Sequence, residues 1–496
     1  MRCRIWNAQA ESPSRMDSPM KWLWASGFLF AVVLAPGRTP FETPPQESLA
    51  SFVQTGDLGI PHDPGPMLYT QGVNGRFYPT HELGSLLLGI PFAKCAQVIT
   101  RFTTRVSFAE AFDFSLVFFS AGLFATTLVL LALISREWGW LCGTNIRWLF
   151  LFVASSQYLV YAVYPPDVSI SAPLLAWTFL AWQRAERVDS QAWLIPGFSS
   201  GALVLVKLTN FSVIPVLLGL CMTTPRIAWT ARIKNIRLYA LGLLPGLALT
   251  GWWNWIRTGS LFGNLYPTIH EFHVRSLPEG VLRSLLDPGR GLLVYSPVLF
   301  LLLGFVRSRG DAKLPTREAI FIFGSLALAL IRLSGSSAWH GNMGWGIRYY
   351  VPWLPLLLLS ATRALGSWWR SPRWMMLVWS CIAFGILENG AGLITNITYR
   401  QALYPSLIET NSRAICALPA NLARVVGFPI EERVAPGASP RNVFASNRLA
   451  FWWYGIQAMG VSPVLSWALG LTMMALVAVT GRKALQRLDA TTQSVI

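Results

Sequence analysis

Long apolar runs constrain this chain more than any other feature. A membrane-spanning helix needs about 20 mostly apolar residues. Runs of roughly that length lie at 20–36, 113–134, 146–163, 168–184, 193–207, 210–223, 237–253, 291–306, 318–334, 350–364, 373–392 and 460–480. They amount to about twelve spans. The region 193–223 is ambiguous, because Lys207-Leu208-Thr209-Asn210 interrupts it. It reads as two short helices or as one broken helix. The expected fold class is therefore an all-α membrane protein, a bundle of about twelve transmembrane helices.

Charge supplies the orientation. The chain has 496 residues, of which 53% are hydrophobic and 13% charged, with 40 Lys+Arg against 23 Asp+Glu and a formal net charge of +17. In a soluble protein that excess would point to nucleic acid. Here the basic residues fall in alternate short loops, including Arg136, Arg147, Arg184, Arg187, Arg232, Arg307, Arg317, Arg370 and Arg482. Cytoplasmic loops are the basic ones, so the N-terminus is inside and no nucleic-acid partner is required. The long segments 37–110, 254–290 and 393–459 then lie outside. Three regions follow: a transmembrane domain over 1–392 with its first outer loop at 37–110, an outer loop of unreadable role at 393–459, and a last span with a basic tail at 460–496. Within the first outer loop, Leu83–Ile99 is a second apolar stretch interrupted by Pro91. It reads as a helix along the membrane surface. The six cysteines form no C-x-x-C pair and read as small buried hydrophobes.

Carboxylates on the outer side are few. Glu42 and Glu47 follow the first span, and Asp167 closes the short turn Tyr164-Pro165-Pro166-Asp167. A carboxylate at the membrane boundary serves as a general base or holds a divalent cation. The bland alternatives are a solvated loop residue for Glu42 and a helix N-cap for Asp167. Outer basic residues run against the charge rule and so need a reason. They are Lys207, Arg290 in Asp287-Pro288-Gly289-Arg290, and Arg348 in a segment from Trp339 through His340 to Tyr349 and Tyr350. An ionisable group at that depth is a functional candidate by default, and guanidinium matches phosphate oxygens. No phosphate loop of the G-x-x-x-x-G-K-[ST] type and no H-E-x-x-H zinc helix occurs.

Three strings occur in order along the chain. The first runs Gly75-Arg76-Phe77-Tyr78-Pro79-Thr80-His81-Glu82-Leu83-Gly84-Ser85 and on to Pro91-Phe92. The second is Gly291-Leu292-Leu293-Val294-Tyr295-Ser296-Pro297, and the third Trp345-Gly346-Ile347-Arg348-Tyr349. Together they resemble the polytopic glycosyltransferases of the GT-C fold. That bacterial group includes protein mannosyltransferases and the aminoarabinose transferase of lipid A, which use dolichyl- or polyprenyl-phosphate sugars. The resemblance spans most of residues 20–365.

The resemblance implies a GT-C-like bundle whose long first outer loop carries surface helices. It also implies an enzyme of the bacterial plasma membrane that works at the outer face. Its donor would be a polyprenyl-phosphate sugar, and its acceptor a lipid, glycan or protein. Lys207, Arg348, Arg76 and Arg290 would bind the donor phosphate. Glu42 or Glu47, together with Asp167, would be the catalytic carboxylates. Tyr78, His81, His340 and Tyr349 would contact substrate. Relatives often carry Asp where this chain offers Glu42 and Glu47, and the choice between the two stays open. Direct displacement would invert the anomeric centre. A transporter or lipid-linked sugar flippase is the rival, and would place its ionisable groups near the bilayer midplane.

Overall fold

The computed structural model describes residues 13–35, 43–62, 69–102, 107–163, 167–187, 190–225, 228–262, 273–287, 291–304, 314–335, 347–368, 372–395, 451, 453 and 461–493. Glu42, Arg290, His340, the side chain of Asp167 and nearly all of 393–459 lie outside the described residues.

Helices dominate. The first is α1 (Pro13–Leu34), followed by α2 (Thr43–Thr55) in the first loop. A hairpin of β1 (Tyr69–Gln71) and β2 (Phe77–Pro79) pairs antiparallel, with Tyr69 opposite Pro79. Next come α3 (Leu83–Phe102) and α4 (Phe108–Glu137). Ser107 starts α4 with a capping box: its hydroxyl accepts from the Glu110 amide, and the Glu110 carboxylate accepts from the Ser107 amide. Then α5 (Gly143–Ala154) and α6 (Gln157–Val163) meet at an 82° bend. α7 (Asp167–Ala185), α8 (Leu194–Val206), α9 (Val213–Met222) and α10 (Trp229–Thr258) follow. The later long helices are Leu354–Trp368, Pro372–Thr395 and Pro463–Gln493.

Three described helices are long and apolar enough to cross a membrane, or four if the bent pair counts as one span. Among them is Leu83–Phe102, which was expected along the surface. Pro91 does not interrupt it. The ring lies on the exposed side of a continuous helix, where the lost backbone hydrogen bond leaves no carbonyl buried against protein. Large apolar side chains also face outward, among them Leu241, Leu244, Leu249 and Trp252 on α10 and Leu465, Leu471 and Val479 near the C-terminus. A helix surface of that kind suits lipid.

The basic loops gather at one end of the bundle. Glu137 pairs with Arg184 and Arg187 at 3.3 and 2.6 Å. Glu186 pairs with Arg317, which also donates to the Thr223 carbonyl. Arg147 pairs with Asp489 at 2.9 Å. The first loop, Lys207, Arg257 and Arg348 assemble at the other end.

The ambiguous 193–223 region is two helices. α8 stops at Lys207, whose backbone is extended at φ −158° and ψ 120°. A 3-10 turn, Leu208–Ser212, leads into α9. Asn210 explains the break. Its side-chain amide donates to the Leu203 carbonyl at 3.1 Å, which also accepts from the Lys207 amide at 2.9 Å, and to Ser171 Oγ at 2.9 Å.

α8 and α10 cross at paired glycines. Gly197 and Gly201 on α8 meet Gly242 and Gly246 on α10. A Cβ on Gly246 would stand 2.3 Å from the Gly201 carbonyl carbon, and one on Gly242 2.2 Å from the Leu194 oxygen. Both helices carry a G-x-x-x-G face, which lets backbones touch in a membrane.

Candidate functional site

The hairpin is locked onto the end of α10. Gly72 sits where a Cβ would meet the Ile256 oxygen at 2.7 Å, and Gly75 holds φ +78° in the turn. The Val73 amide donates to the Ile256 carbonyl at 3.0 Å. Arg257 is almost fully buried, and its Nη1 donates to the carbonyls of Pro79, Thr80 and His81 at 3.2, 3.0 and 3.0 Å. Its Nη2 donates to Asn254 Oδ1 at 2.8 Å, and its guanidinium lies 5.1 Å over the Trp253 ring. Trp253 Nε1 donates to the His81 carbonyl at 3.0 Å. A planar cation with five fixed donors suits a cluster of converging carbonyls. Residues 79–81 are thereby held where α3 begins. Gly84 then brings that start against α8, since a Cβ there would meet the Val206 nitrogen at 2.8 Å.

Lys207 stands at this junction, 7% exposed. Its Nζ lies 5.7 Å from the Tyr349 ring centre, and the Arg348 guanidinium lies 5.5 Å from the same centre. Two cations share one aromatic ring. The neighbouring Leu208 amide donates to Glu82 Oε1 at 3.5 Å, and its carbonyl accepts from Arg332 at 3.3 Å. Glu82 thus joins the same cluster. His81 completes it. Burial pushes its imidazole down to about 4; Glu82 opposes that shift, and Lys207, Arg348 and Arg257 add to it. His81 Nδ1 is buried and makes no hydrogen bond among the described residues. Among the described residues, three cations, Lys207, Arg348 and Arg257, and one carboxylate, Glu82, act on the His81 ring.

Among the residues expected from the sequence, the structure brings Lys207, Arg348, Tyr349 and His81 together. Three others engage different partners. Arg76 pairs with Asp57 at 2.8 Å on the hairpin. Tyr78 packs edge-on against Trp253, and its hydroxyl accepts from Asn74 at 2.7 Å. Glu47 Oε2 accepts from the Tyr69 hydroxyl at 3.1 Å, which, with burial, raises that hydroxyl's pKa. Beside it, Gln46 donates to the buried Asp113 at 2.7 Å. Asp167 is the first residue of α7.

Glu82 was missed from sequence, although it stands inside the first string. An acidic residue just before an apolar helix reads as an ordinary N-terminal charge. Gln157 was also missed. It sits at the α5–α6 bend, where its amide donates to Ser296 Oγ at 3.2 Å and its side chain to the Ile347 carbonyl at 3.4 Å. It therefore ties the second string to the third, one residue from Arg348. Among the described residues, no three His, Cys, Asp or Glu side chains form a metal-holding group.

Comparison with solved structures finds two similar ones. The chain is similar to ArnT from Cupriavidus metallidurans. In its apo state, the likeness covers 93% of this chain and 75% of that one, at 15% identity and a TM-score of 0.45. With ArnT bound to undecaprenyl phosphate, it covers 96% and 79%, at 13% identity and a TM-score of 0.48. No family model and no curated protein matches the chain.

Proposed function

We propose that this chain is a GT-C-like membrane glycosyltransferase. It moves a sugar from a polyprenyl-phosphate donor to a lipid, glycan or protein acceptor at the outer face of a bundle of about twelve spans. The observation that carries the reading is the meeting of Lys207 and Arg348 across Tyr349, beside His81 and Glu82. Two cations held about one aromatic ring suit the oxygens of a phosphate. Its place at the loop-bearing end suits a lipid headgroup reached from the membrane boundary. The three recurring strings supply the glycosyltransferase assignment. In this reading 1–392 is the transmembrane domain, 393–459 helps select the acceptor, and 460–496 is the last span with its tail. The membrane is the bacterial plasma membrane and the active face is periplasmic.

Lys207 and Arg348 hold the phosphate oxygens, and Tyr349 sets the spacing between the two cations. A carboxylate removes the acceptor proton as the acceptor oxygen or nitrogen attacks the anomeric carbon. Glu82 is the described carboxylate closest to this role, alongside Glu42, Glu47 and Asp167 from the sequence. The bond from the anomeric carbon to the phosphate oxygen breaks with inversion. The second negative charge left on the lipid phosphate is stabilised by the fixed cations. Arg76, Arg290, Tyr78 and His340 extend the donor and acceptor surfaces.

One observation favours the transporter reading. Glu388 is 3% exposed within Pro372–Thr395, and its Oε2 has no hydrogen-bond partner among the described residues. Buried carboxylates within spans often serve ion pathways. Reconstitution with a radiolabelled polyprenyl-phosphate sugar separates the two. The transferase releases labelled sugar from its lipid, and Glu82→Gln, Glu42→Gln, Glu47→Gln and Asp167→Asn identify the base. Unchanged turnover in all four variants sinks the carboxylate step. Movement of the intact lipid across the bilayer without cleavage replaces the transferase reading with the transporter one.

A further inference from the structure

The proton released by the acceptor needs a destination, and the cluster contains an imidazole suited to receive it. We propose that His81 takes up a proton when the phosphate beside it goes from one negative charge to two. The inference rests on the donor reading above and extends it to the fate of that proton.

The ring is held in place. The His81 carbonyl accepts from Trp253 Nε1 and Arg257 Nη1, both at 3.0 Å. Nδ1 is buried with no hydrogen-bond partner among the described residues. A buried polar atom left in that state is costly, and a ligand oxygen beside a protonated Nδ1 would supply its partner. The charged groups acting on the ring come from every side. Lys207 follows α8, Arg348 opens the 3-10 turn 348–353, Arg257 ends α10, and Glu82 is its own neighbour. These cations keep the imidazole neutral in the resting protein, with burial as the larger cause and a pKa of about 4. An anion seated on Lys207 and Arg348 cancels their effect on the ring, and a dianion reverses it.

The transfer balances around that change. The acceptor oxygen bonds to the anomeric carbon, and the carbon–oxygen bond to phosphate breaks. Its electron pair stays on the phosphate, which turns from a monoanionic diester into a dianionic monoester. The acceptor's proton, taken first by the carboxylate, ends on His81. The ring gains one positive charge as the phosphate gains one negative charge. The cluster keeps the same total charge throughout, which matters because charge imbalance is expensive where water is scarce.

Titration calorimetry of the full-length protein tests this. Runs at pH 7.5 in two buffers of different ionisation enthalpy count the protons taken up on binding. The probes are farnesyl phosphate, a monoester, and farnesyl methyl phosphate, a diester of the same chain. The second pKa of a phosphomonoester is about 6, so the free monoester is already a dianion and the protons counted enter the protein. In the wild type the monoester brings about one proton more than the diester. In His81→Gln and His81→Asn that excess falls to near zero, and the ratio of monoester to diester affinity drops on the order of tenfold. An excess that persists in both variants overturns the proposal, because another group then takes the proton. An excess absent from the wild type overturns it too. Failure of the donor reading looks different: the wild type binds neither probe, or Lys207→Gln with Arg348→Gln binds both undiminished. Either result removes the present inference as well.

Discussion

Residue by residue, the cluster divides into groups that face ligand and groups that hold those in place. In the proposed function Lys207 and Arg348 face the phosphate, so Lys207→Gln or Arg348→Gln lowers turnover on the order of 100-fold in the reconstituted sugar-release assay. Arg76→Gln, which breaks a half-buried pair with Asp57, changes it far less. Arg257 belongs to the second kind. Arg257→Lys keeps the charge but loses the fork that serves three carbonyls. That variant shows lower thermal stability together with lower activity. His81 gives a pH signature. Its folded pKa of about 4 lies below the ordinary 6.5, so the unfolded chain binds the extra proton between those values. Stability is therefore full above about 6.5 and falls as the pH drops toward 4, by on the order of 1–3 kcal/mol. Thermal unfolding at pH 7 and pH 5 measures it, and His81→Gln flattens the difference. Legibility at this scale depended on the residue type. Lys207 and Arg348 stood out because a cation on the outer side breaks the charge rule. Glu82 did not, because a carboxylate before a helix is ordinary.

Helix pairing decides where those residues stand. α8 ends at Lys207, and its position against α10 is set by backbone contact at Gly201 and Gly246. Gly246→Leu forces the two helices apart and destabilises the protein by on the order of 1–3 kcal/mol or more. Thermal melting in detergent reads this, and activity falls with it because Arg257 and Lys207 ride on the separated helices. The glycine spacing was present in the sequence, but G-x-x-x-G in an apolar helix does not name its partner. The α8–α9 break was visible as an interruption at Lys207. Its form was not, because it depends on Asn210 reaching Ser171 on another helix, 39 residues away. Pro91 shows the reverse case. A proline in an apolar run reads as a break, yet an exposed ring is accommodated in a continuous α3.

Across the whole molecule, the proposed topology gives two chemically distinct ends through the alternation of loops. Asn74 in the hairpin turn and Arg187 after α7 are both exposed and lie at opposite ends. In a background with the six native cysteines replaced, Asn74→Cys reacts with an impermeant maleimide from outside intact cells, and Arg187→Cys reacts only after permeabilisation. Labelling of both residues from the same side would overturn the proposed topology. Gln157 matters at this scale too, since it bridges the second and third strings at the α5–α6 bend. The strings are far apart in sequence, and their convergence on one end unites them.

The apolar runs determined the helical class and the apolar character of the helices long enough to cross a membrane. Those properties depend on local composition and on an environment common to every span. The cluster at the loop-bearing end depended on tertiary structure. Its members come from the start of α3, the end of α8, α10 and the turn at Arg348, brought together by glycine crossings and by Arg257 gathering three carbonyls. A contact between distant segments depends on which backbones can approach, and residue identity along one segment does not encode that.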